Sequence, residues 1–380
     1  MKIAIVQDGL MCRAGGEQVA LCFHKAFPDA PIYTQCYQPD LTFPEFSSCD
    51  IRTSWLQNFV KTDKQMKTLF FPLGIWAMES HDLTQYDVVL MSSTHCAKYV
   101  KVGKKALVIN YCHTPFRLAW DPNSYAQYEK SRGLKRFLFD SIIKVLRRID
   151  FRYAQRPDFF IANTEETAER ARTNYNISSP IVIYPPVNIN NFYISSVKNY
   201  FLVVSRLEHY KRTDLVIDAF NKLGYSLIVV GKGVQADTLK ASAKSNITFL
   251  SGLSANELAD VYANCRALIF PQHEDYGITP LEANAAGRPV IAYKAGGVLF
   301  TQIPMVDDPS EATALFFEKQ TACDLISAIH KFEKIEDDFS PIFIRNHAQR
   351  FDEKIFIEKI KLFVREKYKQ LADKEIVMEK

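Results

Sequence analysis

Three groups of residues in this chain have the types and spacing to do chemistry together. Glu274 and Glu282 stand seven residues apart, with the glycine turn at Gly277 between them and a helix expected from about Thr279, having Pro280 in its first turn. The backbone from Ile278 to Leu281 would then offer N–H groups to an anion at the helix start. A carboxylate one turn further in would repel phosphate unless it bonded something else. A ribose diol suits Glu282, and Glu274 would face whatever lies beyond the phosphates. The plain structural alternative is a first-turn glutamate stabilised by the helix dipole.

Arg206 and Lys211 lie five apart in Ser205-Arg206-Leu207-Glu208-His209-Tyr210-Lys211, directly after an apolar run that reads as a strand. The carboxyl edge of an open parallel sheet is where such folds bind ligands, and two cations there suit a diphosphate. A solvated basic loop is the bland reading of the same residues. Gly15 and Gly16 follow the first strand and open an amphipathic helix, a place where backbone can approach an anion closely. A tight turn would use the same pair. The dinucleotide fingerprint Gly-x-Gly-x-x-Gly is absent.

These residues need strands and helices to hold them, and the chain supplies an alternation of both. Short apolar runs at 2–7, 31–37, 86–91, 106–112, 158–162 and 180–184 are separated by helix-period stretches at 16–27, 57–78 (interrupted near Pro72), 134–154 and 164–174. Strand runs restart at 201–205, 226–230, 247–250, 267–270 and 289–292, after which the chain reads as helix over 321–333 and 352–372, with fraying after Asp373. This pattern predicts an α/β protein of two doubly wound, Rossmann-like domains. The Pro- and Asn-rich segment 184–191 reads as the linker, giving a first domain at 1–187 and a second at 188–351. The last helix, about 352–380, is left to pack back on the first domain, through a stripe of Phe356, Ile360, Phe363 and Val364.

Length and composition agree: 380 residues with 47% hydrophobic and 24% charged side chains suit two ordinary globular domains. No apolar run approaches the roughly 20 residues that span a bilayer. The start of the chain looks like a buried strand and lacks a secretory pattern, so a cytoplasmic protein is expected. Eight cysteines without a Cys-x-x-Cys pair predict free thiols and no zinc site. The net charge of +4 is unevenly placed, since residues 95–156 hold 14 basic and 4 acidic side chains. No nucleic-acid motif accompanies them.

Taken together, Gly15-Gly16, Ser205-Arg206-Leu207 with Lys211, and Glu274-x7-Glu282 resemble the retaining GT-B glycosyltransferases of family GT4, over 2–363. The strings Tyr111-Cys112-His113-Thr114-Pro115-Phe116-Arg117-Leu118-Ala119-Trp120-Asp121, Ile183-Tyr184-Pro185-Pro186-Val187 and Gly287-Arg288-Pro289-Val290-Ile291-Ala292-Tyr293 are similar to a branch of bacterial O-antigen and polysaccharide mannosyltransferases. The resemblance implies two domains facing across a cleft. It implies a nucleotide-sugar donor, GDP-mannose in that branch, held by Gly15, Gly16, Arg206, Lys211, Glu274, Glu282 and the Gly277, Ile278, Thr279, Pro280 and Leu281 backbone. His113, Arg206, Lys211 and Glu274 would be catalytic, with His113 reaching the donor sugar. Transfer would be front-face and metal-independent, with no further cofactor; no two aspartates flank a single residue, so the Asp-x-Asp metal element is missing.

The implied acceptor is a polyprenyl-diphosphate-linked saccharide; Arg117, Trp120 and Asp121, just past His113, are its candidate contacts, with a core position as the alternative for Trp120. The basic helix within residues 130–156 would lie on an anionic membrane, on the inner face of the bacterial cytoplasmic membrane as a peripheral protein, with the segment from Lys61, Lys64 and Lys67 through Phe70 to Trp76 as a second docking place. An ordinary surface helix packed on the sheet is the alternative for 130–156. A UDP-glucose, UDP-galactose or UDP-N-acetylglucosamine enzyme, a sugar-nucleotide epimerase, and a silent nucleotide-sugar-binding subunit are the competing functions.

Overall fold

The computed structural model describes the backbone of residues 1–378 and their side chains except at 63, 64, 67, 70, 126, 127 and 374–378. Lys64, Lys67 and Phe70 of the expected docking segment, and Glu379 and Lys380 of the expected frayed end, therefore lie outside what is described. The chain divides into a first unit, Met1–Pro186 with Lys354–Lys380, and a second, Val187–Glu353.

The first unit holds a seven-stranded sheet made of β1 (Ile3–Gln7), β2 (Ile32–Thr34), β3 (Ile51–Thr53), β4 (Val88–Ser93), β5 (Leu107–Cys112), β6 (Phe159–Ala162) and β7 (Ile181–Val182). Their order is β3-β2-β1-β4-β5-β6-β7, and every pairing is parallel. The sheet turns outward in both directions from its middle, as a doubly wound fold does. The apolar continuity of Ile3-Ala4-Ile5-Val6 and Val88-Val89-Leu90-Met91 fits strands buried on both faces, and all of these residues are buried. Helices α1 (Gly15–Ala26), α2 (Arg117–Trp120), α3 (Gly133–Ala154) and α4 (Glu165–Tyr175) follow β1, β5 and β6.

The second unit repeats the plan with β8 (Phe201–Val204), β9 (Leu227–Val230), β10 (Ile247–Leu250), β11 (Leu268–Phe270), β12 (Val290–Tyr293) and β13 (Ala314–Phe317). The order is β10-β9-β8-β11-β12-β13, again all parallel. Its helices include α5 (Thr213–Leu223), α6 (Ala255–Asn264), α7 (Ile278–Ala285) and α8 (Ala322–Phe332). The last helix, α9 (Glu353–Met378), belongs to the first unit, where Phe356 stacks on Phe23 with ring centroids 6.0 Å apart and meets Tyr111 edge-on at 5.7 Å. Ile360 and Val364 are buried in the same cluster, as the sequence stripe requires.

Three readings change. The helix expected over 57–78 is broken into Asp63–Thr68 and Ile75–Glu79, with Phe71 in extended backbone. Pro72 lacks an amide donor and its ring clashes with the preceding turn, so one helix cannot pass through it. Strands β3 and β13 lie beyond the predicted set. Ile51-Arg52-Thr53 is a half-exposed edge strand, and Ala314-Leu315-Phe316-Phe317 is too short for periodicity to separate strand from helix. Helix continues through Met378 instead of ending near Ala372. No helix among the described residues is long and apolar enough to cross a membrane, and the eight cysteines are free.

The centre of the first unit holds a charge that burial would otherwise forbid. Asp150, on α3, is fully buried and pairs with Lys98 at 2.6 Å, itself 2% exposed. The same carboxylate accepts the Tyr175 hydroxyl and the Trp120 indole N–H, each at 2.7 Å, and the Tyr99 hydroxyl at 3.3 Å. Removing one partner of a buried pair leaves the other uncompensated. Asp150→Asn is expected to lower unfolding free energy by about 3–5 kcal/mol in urea denaturation, and Lys98→Met added to it should restore part of the loss.

Candidate active site

In the second unit the site begins where β8 ends. The chain leaves the sheet at Ser205, makes one helical turn over His209–Lys211, and enters α5 at Thr213. This turn separates the two expected cations. Arg206 is exposed and donates from Nη2 to the Tyr210 hydroxyl at 2.6 Å, whereas Lys211 is buried and ion-paired with Glu274. The sequence distance between Lys211 and Glu274 is bridged because β8 lies beside β11. Both loops leave the sheet at its carboxyl edge.

Glycines that the sequence reading passed over fix both loops. Gly233 lies against the Leu207 backbone, where a Cβ would stand 2.4 Å from the Leu207 carbonyl oxygen. The Leu207 N–H donates to Lys232 O at 2.9 Å, so this loop braces the segment carrying Arg206. Gly296 has φ +78°, and a Cβ there would be 2.3 Å from Glu274 O. Next to it, the Gly297 N–H donates to Glu274 O at 2.7 Å. Both glycines follow strand ends, β9 and β12, which is the signal that would have found them.

Helix α7 starts at Ile278 after Gly277 and carries no side-chain cap. Pro280 has no N–H, so the expected anion-facing backbone reduces to Ile278, Thr279 and Leu281. Pro280 and Leu281 bury their side chains and anchor this start. One turn on, Glu282 accepts the hydroxyl of Tyr262, on α6, at 2.6 Å. Burial pushes the Glu282 carboxyl above the usual range, and the Tyr262 bond opposes that rise. Tyr262 was absent from the sequence reading, and nothing in its spacing marked it.

In the first unit, His113 follows β5 and its Nε2 lies 2.9 Å from Ser92 Oγ, at the end of β4. The Ser92 hydroxyl also bonds Gly16 O at 3.3 Å. With that hydroxyl donating to Gly16, His113 Nε2–H donates to Ser92 and Nδ1 is left as the acceptor, a tautomer assigned from the network. Burial drives the His113 pKa down to about 4, so the imidazole is neutral at physiological pH. Gly15 and Gly16 are the first two residues of α1, whose start has no side-chain cap. The structure thus groups Gly15, Gly16, Ser92 and His113 at one sheet edge.

Among the expected acceptor contacts, Asp121 is exposed and Arg117 half-buried, but Trp120 turns inward. Its indole N–H is given to Asp150, its ring meets Tyr175 edge-on at 5.6 Å, and the Arg147 guanidinium covers it at 5.3 Å. Trp120 therefore holds the loop in place, and its polar atom faces the interior.

Asp8, His95 and Cys96 bring potential metal-ligand atoms within 4.8 Å of one another. Asp8 is already saturated. Its carboxylate accepts the N–H groups of Thr94, His95, Cys96 and Ala97 at 2.6–3.0 Å, and its Oδ2 lies 2.9 Å from His95 Nδ1. Burial would raise this carboxyl, but His95 and the backbone donors hold it well below the usual range. Burial keeps the Cys96 thiol protonated. The cluster is a staple between β1 and the loop after β4.

Residues 188–354 match the family described as glycosyl transferases group 1. That match takes in nearly the whole of the second unit, and the chain has the GT-B glycosyltransferase fold. Over 97% of its length it superposes on sucrose-phosphate synthase from Thermosynechococcus elongatus, covering 100% of that chain with a TM-score of 0.72 at 15% identity. Anabaena HepE in complex with UDP gives a TM-score of 0.68 at 16% identity, over 96% of this chain and 100% of that one.

Among curated relatives, the O-antigen chain mannosyltransferase RfbU of Salmonella typhimurium is 31% identical over 192 residues, 47% of this chain and 51% of that protein. The alpha-1,3/1,6-mannosyltransferase ALG2 of Candida glabrata is 22% identical over 92% of this chain and 88% of its own. The match spans about half the length of RfbU, and 62% of the ALG2 of Dictyostelium discoideum.

The depressed His113 pKa makes folding pH-dependent. The unfolded imidazole takes up its proton near pH 6.5 and the folded one near pH 4, so stability present above pH 6.5 is lost as pH falls toward 4. This shift is worth up to about 3 kcal/mol. His81 and His347, also lowered by burial, act in the same direction. His113→Gln should reduce the stability difference between pH 7 and pH 4.5 in urea unfolding, leaving the part carried by the other two.

Proposed function

We propose that this protein is a retaining glycosyltransferase that moves α-mannose from GDP-mannose onto a polyprenyl-diphosphate-linked saccharide during assembly of a bacterial O-antigen or related surface polysaccharide. The observation that carries the reading is the Lys211–Glu274 pair beside Arg206, set with Glu282 in a group 1 glycosyltransferase domain. The choice of mannose is supported by relatives named as mannosyltransferases.

The residue types suit the reaction. Cleaving the sugar–phosphate bond builds negative charge on the departing diphosphate, so cations aimed there stabilise the transition state more than the ground state. Arg206 and Lys211 take this role. The Ile278, Thr279 and Leu281 N–H groups assist at the phosphates, and Glu282 addresses the ribose. Glu274 holds Lys211 in place and presents its carboxylate to hydroxyls of the transferred sugar.

His113, neutral and oriented by Ser92, is assigned to the donor sugar. Gly15 and Gly16 lie beside it and leave backbone open to the donor. Arg117 and Asp121 remain the proposed acceptor contacts. In front-face transfer the C1–O bond to the diphosphate breaks while the acceptor oxygen bonds C1 on the same side, and the acceptor proton passes to the leaving phosphate. No step calls for a metal or another cofactor. The protein would work as a peripheral enzyme on the inner face of the cytoplasmic membrane.

A thermal-shift panel of GDP-mannose, UDP-glucose, UDP-galactose and UDP-N-acetylglucosamine tests the donor. GDP-mannose is expected to raise the melting temperature and the others to have little effect; stabilisation by a UDP-sugar alone would replace the donor. Lys211→Ala should fold and lose turnover by orders of magnitude with membrane-extracted acceptor. A folded, fully active Lys211→Ala enzyme would remove the assignment.

A further inference from the structure

Helix α3 carries two apolar faces, of which one is buried against the protein and the other is exposed among the described residues. Its packed face is Ile143, Leu146, Asp150 and Ala154, all buried. At 100° per residue these positions cluster on one side, and the opposite side is lined by Leu134, Phe137, Leu138 and Val145. Those four side chains are 75%, 67%, 54% and 43% exposed, and Ile142 flanks them at 39%. A surface helix ordinarily turns polar residues to solvent. Contiguous apolar side chains over three turns mark an interaction surface.

The charges around the stripe identify the partner. Lys135 and Lys144 are exposed on its flanks, Arg148 and Arg152 are exposed on the same face beyond Val145, and Lys130 and Arg132 precede the helix. The helix has two acidic residues. Asp150 is buried on Lys98, and Asp140 is taken by Arg136 at 3.3 Å and by the Tyr128 hydroxyl at 2.7 Å. Among the described residues none of Lys135, Lys144, Arg148 and Arg152 has a carboxylate partner, so the stripe is accompanied by cations in a way complementary to an anionic bilayer. Long basic side chains can lay their stems along the acyl boundary and keep their charges at the phosphates.

We propose that the outer face of α3 is a membrane-insertion element, with Leu134, Phe137, Leu138 and Val145 entering an anionic lipid bilayer parallel to its surface. The apolar face drives the contact, and the cations select the lipid charge. The proposal shares with the proposed function the choice of an anionic membrane and rests on that reading for nothing else.

The test uses the full chain and vesicles of phosphatidylcholine with or without phosphatidylglycerol, in co-sedimentation at physiological salt with no nucleotide or acceptor added. The wild type is expected to pellet with phosphatidylglycerol vesicles and only weakly with pure phosphatidylcholine. Phe137→Ser/Leu138→Ser should lower partitioning about tenfold or more with an unchanged melting temperature, since both residues are exposed. Val306→Ser, at an exposed apolar residue of the second unit, should bind as wild type.

Equal binding by the double variant, or no binding by the wild type, overturns the proposal. A concentration-dependent dimer that the double variant abolishes, with no change in vesicle binding, would overturn it in favour of a protein interface. Because neither donor nor acceptor is present, a failed donor assignment leaves this result standing, and the reverse also holds.

Discussion

A carboxylate cut off from water must have its charge answered from within, and in the first unit that requirement organises everything around Asp150. Four donors reach it from three places in the chain: Lys98 and Tyr99 after β4, Trp120 from α2, and Tyr175 from the end of α4. Tyr175 is used twice, since its hydroxyl also accepts the Phe116 N–H at 3.1 Å. The loop that begins with His113 is therefore clamped at Phe116 and Trp120. An apolar core would pack these elements with more freedom of rotation. A shared ion, bound by directional hydrogen bonds, leaves little choice in how they meet.

The second unit solves a related problem at its sheet edge. Lys211 and Glu274 come from loops far apart in sequence, and the crossing from β8 to β11 brings them side by side. Each neutralises the other, so two charges can sit close together at a largely desolvated edge. Both are also suited to polar ligands: an ammonium can exchange a carboxylate for phosphate oxygens, and a freed carboxylate can accept sugar hydroxyls. Glu282 is treated differently, with a neutral hydroxyl for a partner and a pKa raised by burial. Two glutamates one motif apart thus have different electrostatic settings, which suits different tasks.

Much of this was legible in the residue order. The parallel α/β architecture followed from apolar runs alternating with helical periods, and the stripe on the last helix identified the residues it buries. Arg206, Lys211, Glu274 and Glu282 were singled out because each stands in a segment that follows the carboxyl end of a strand. What could not be read was pairing. Nothing in the spacing links Lys211 to Glu274, Tyr262 to Glu282, or Trp120 to Asp150, because each pair is made by the crossover order. Gly233 and Gly296 each follow a strand end, but which backbone they approach is visible only once the neighbouring loop is placed. The helix-period stretch at 134–154 located α3. Helical spacing alone does not reveal which side meets the protein.

The two faces of α3 are parts of one rigid rod. From Leu138 to Asp150 is twelve residues, about 18 Å of helix. One end of that span carries the exposed apolar residues, and the other is bolted through Trp120 and Tyr175 to the His113 loop. Any surface that receives the stripe is consequently held at a set height and tilt from that loop. The helix acts as a ruler between its outer face and that loop.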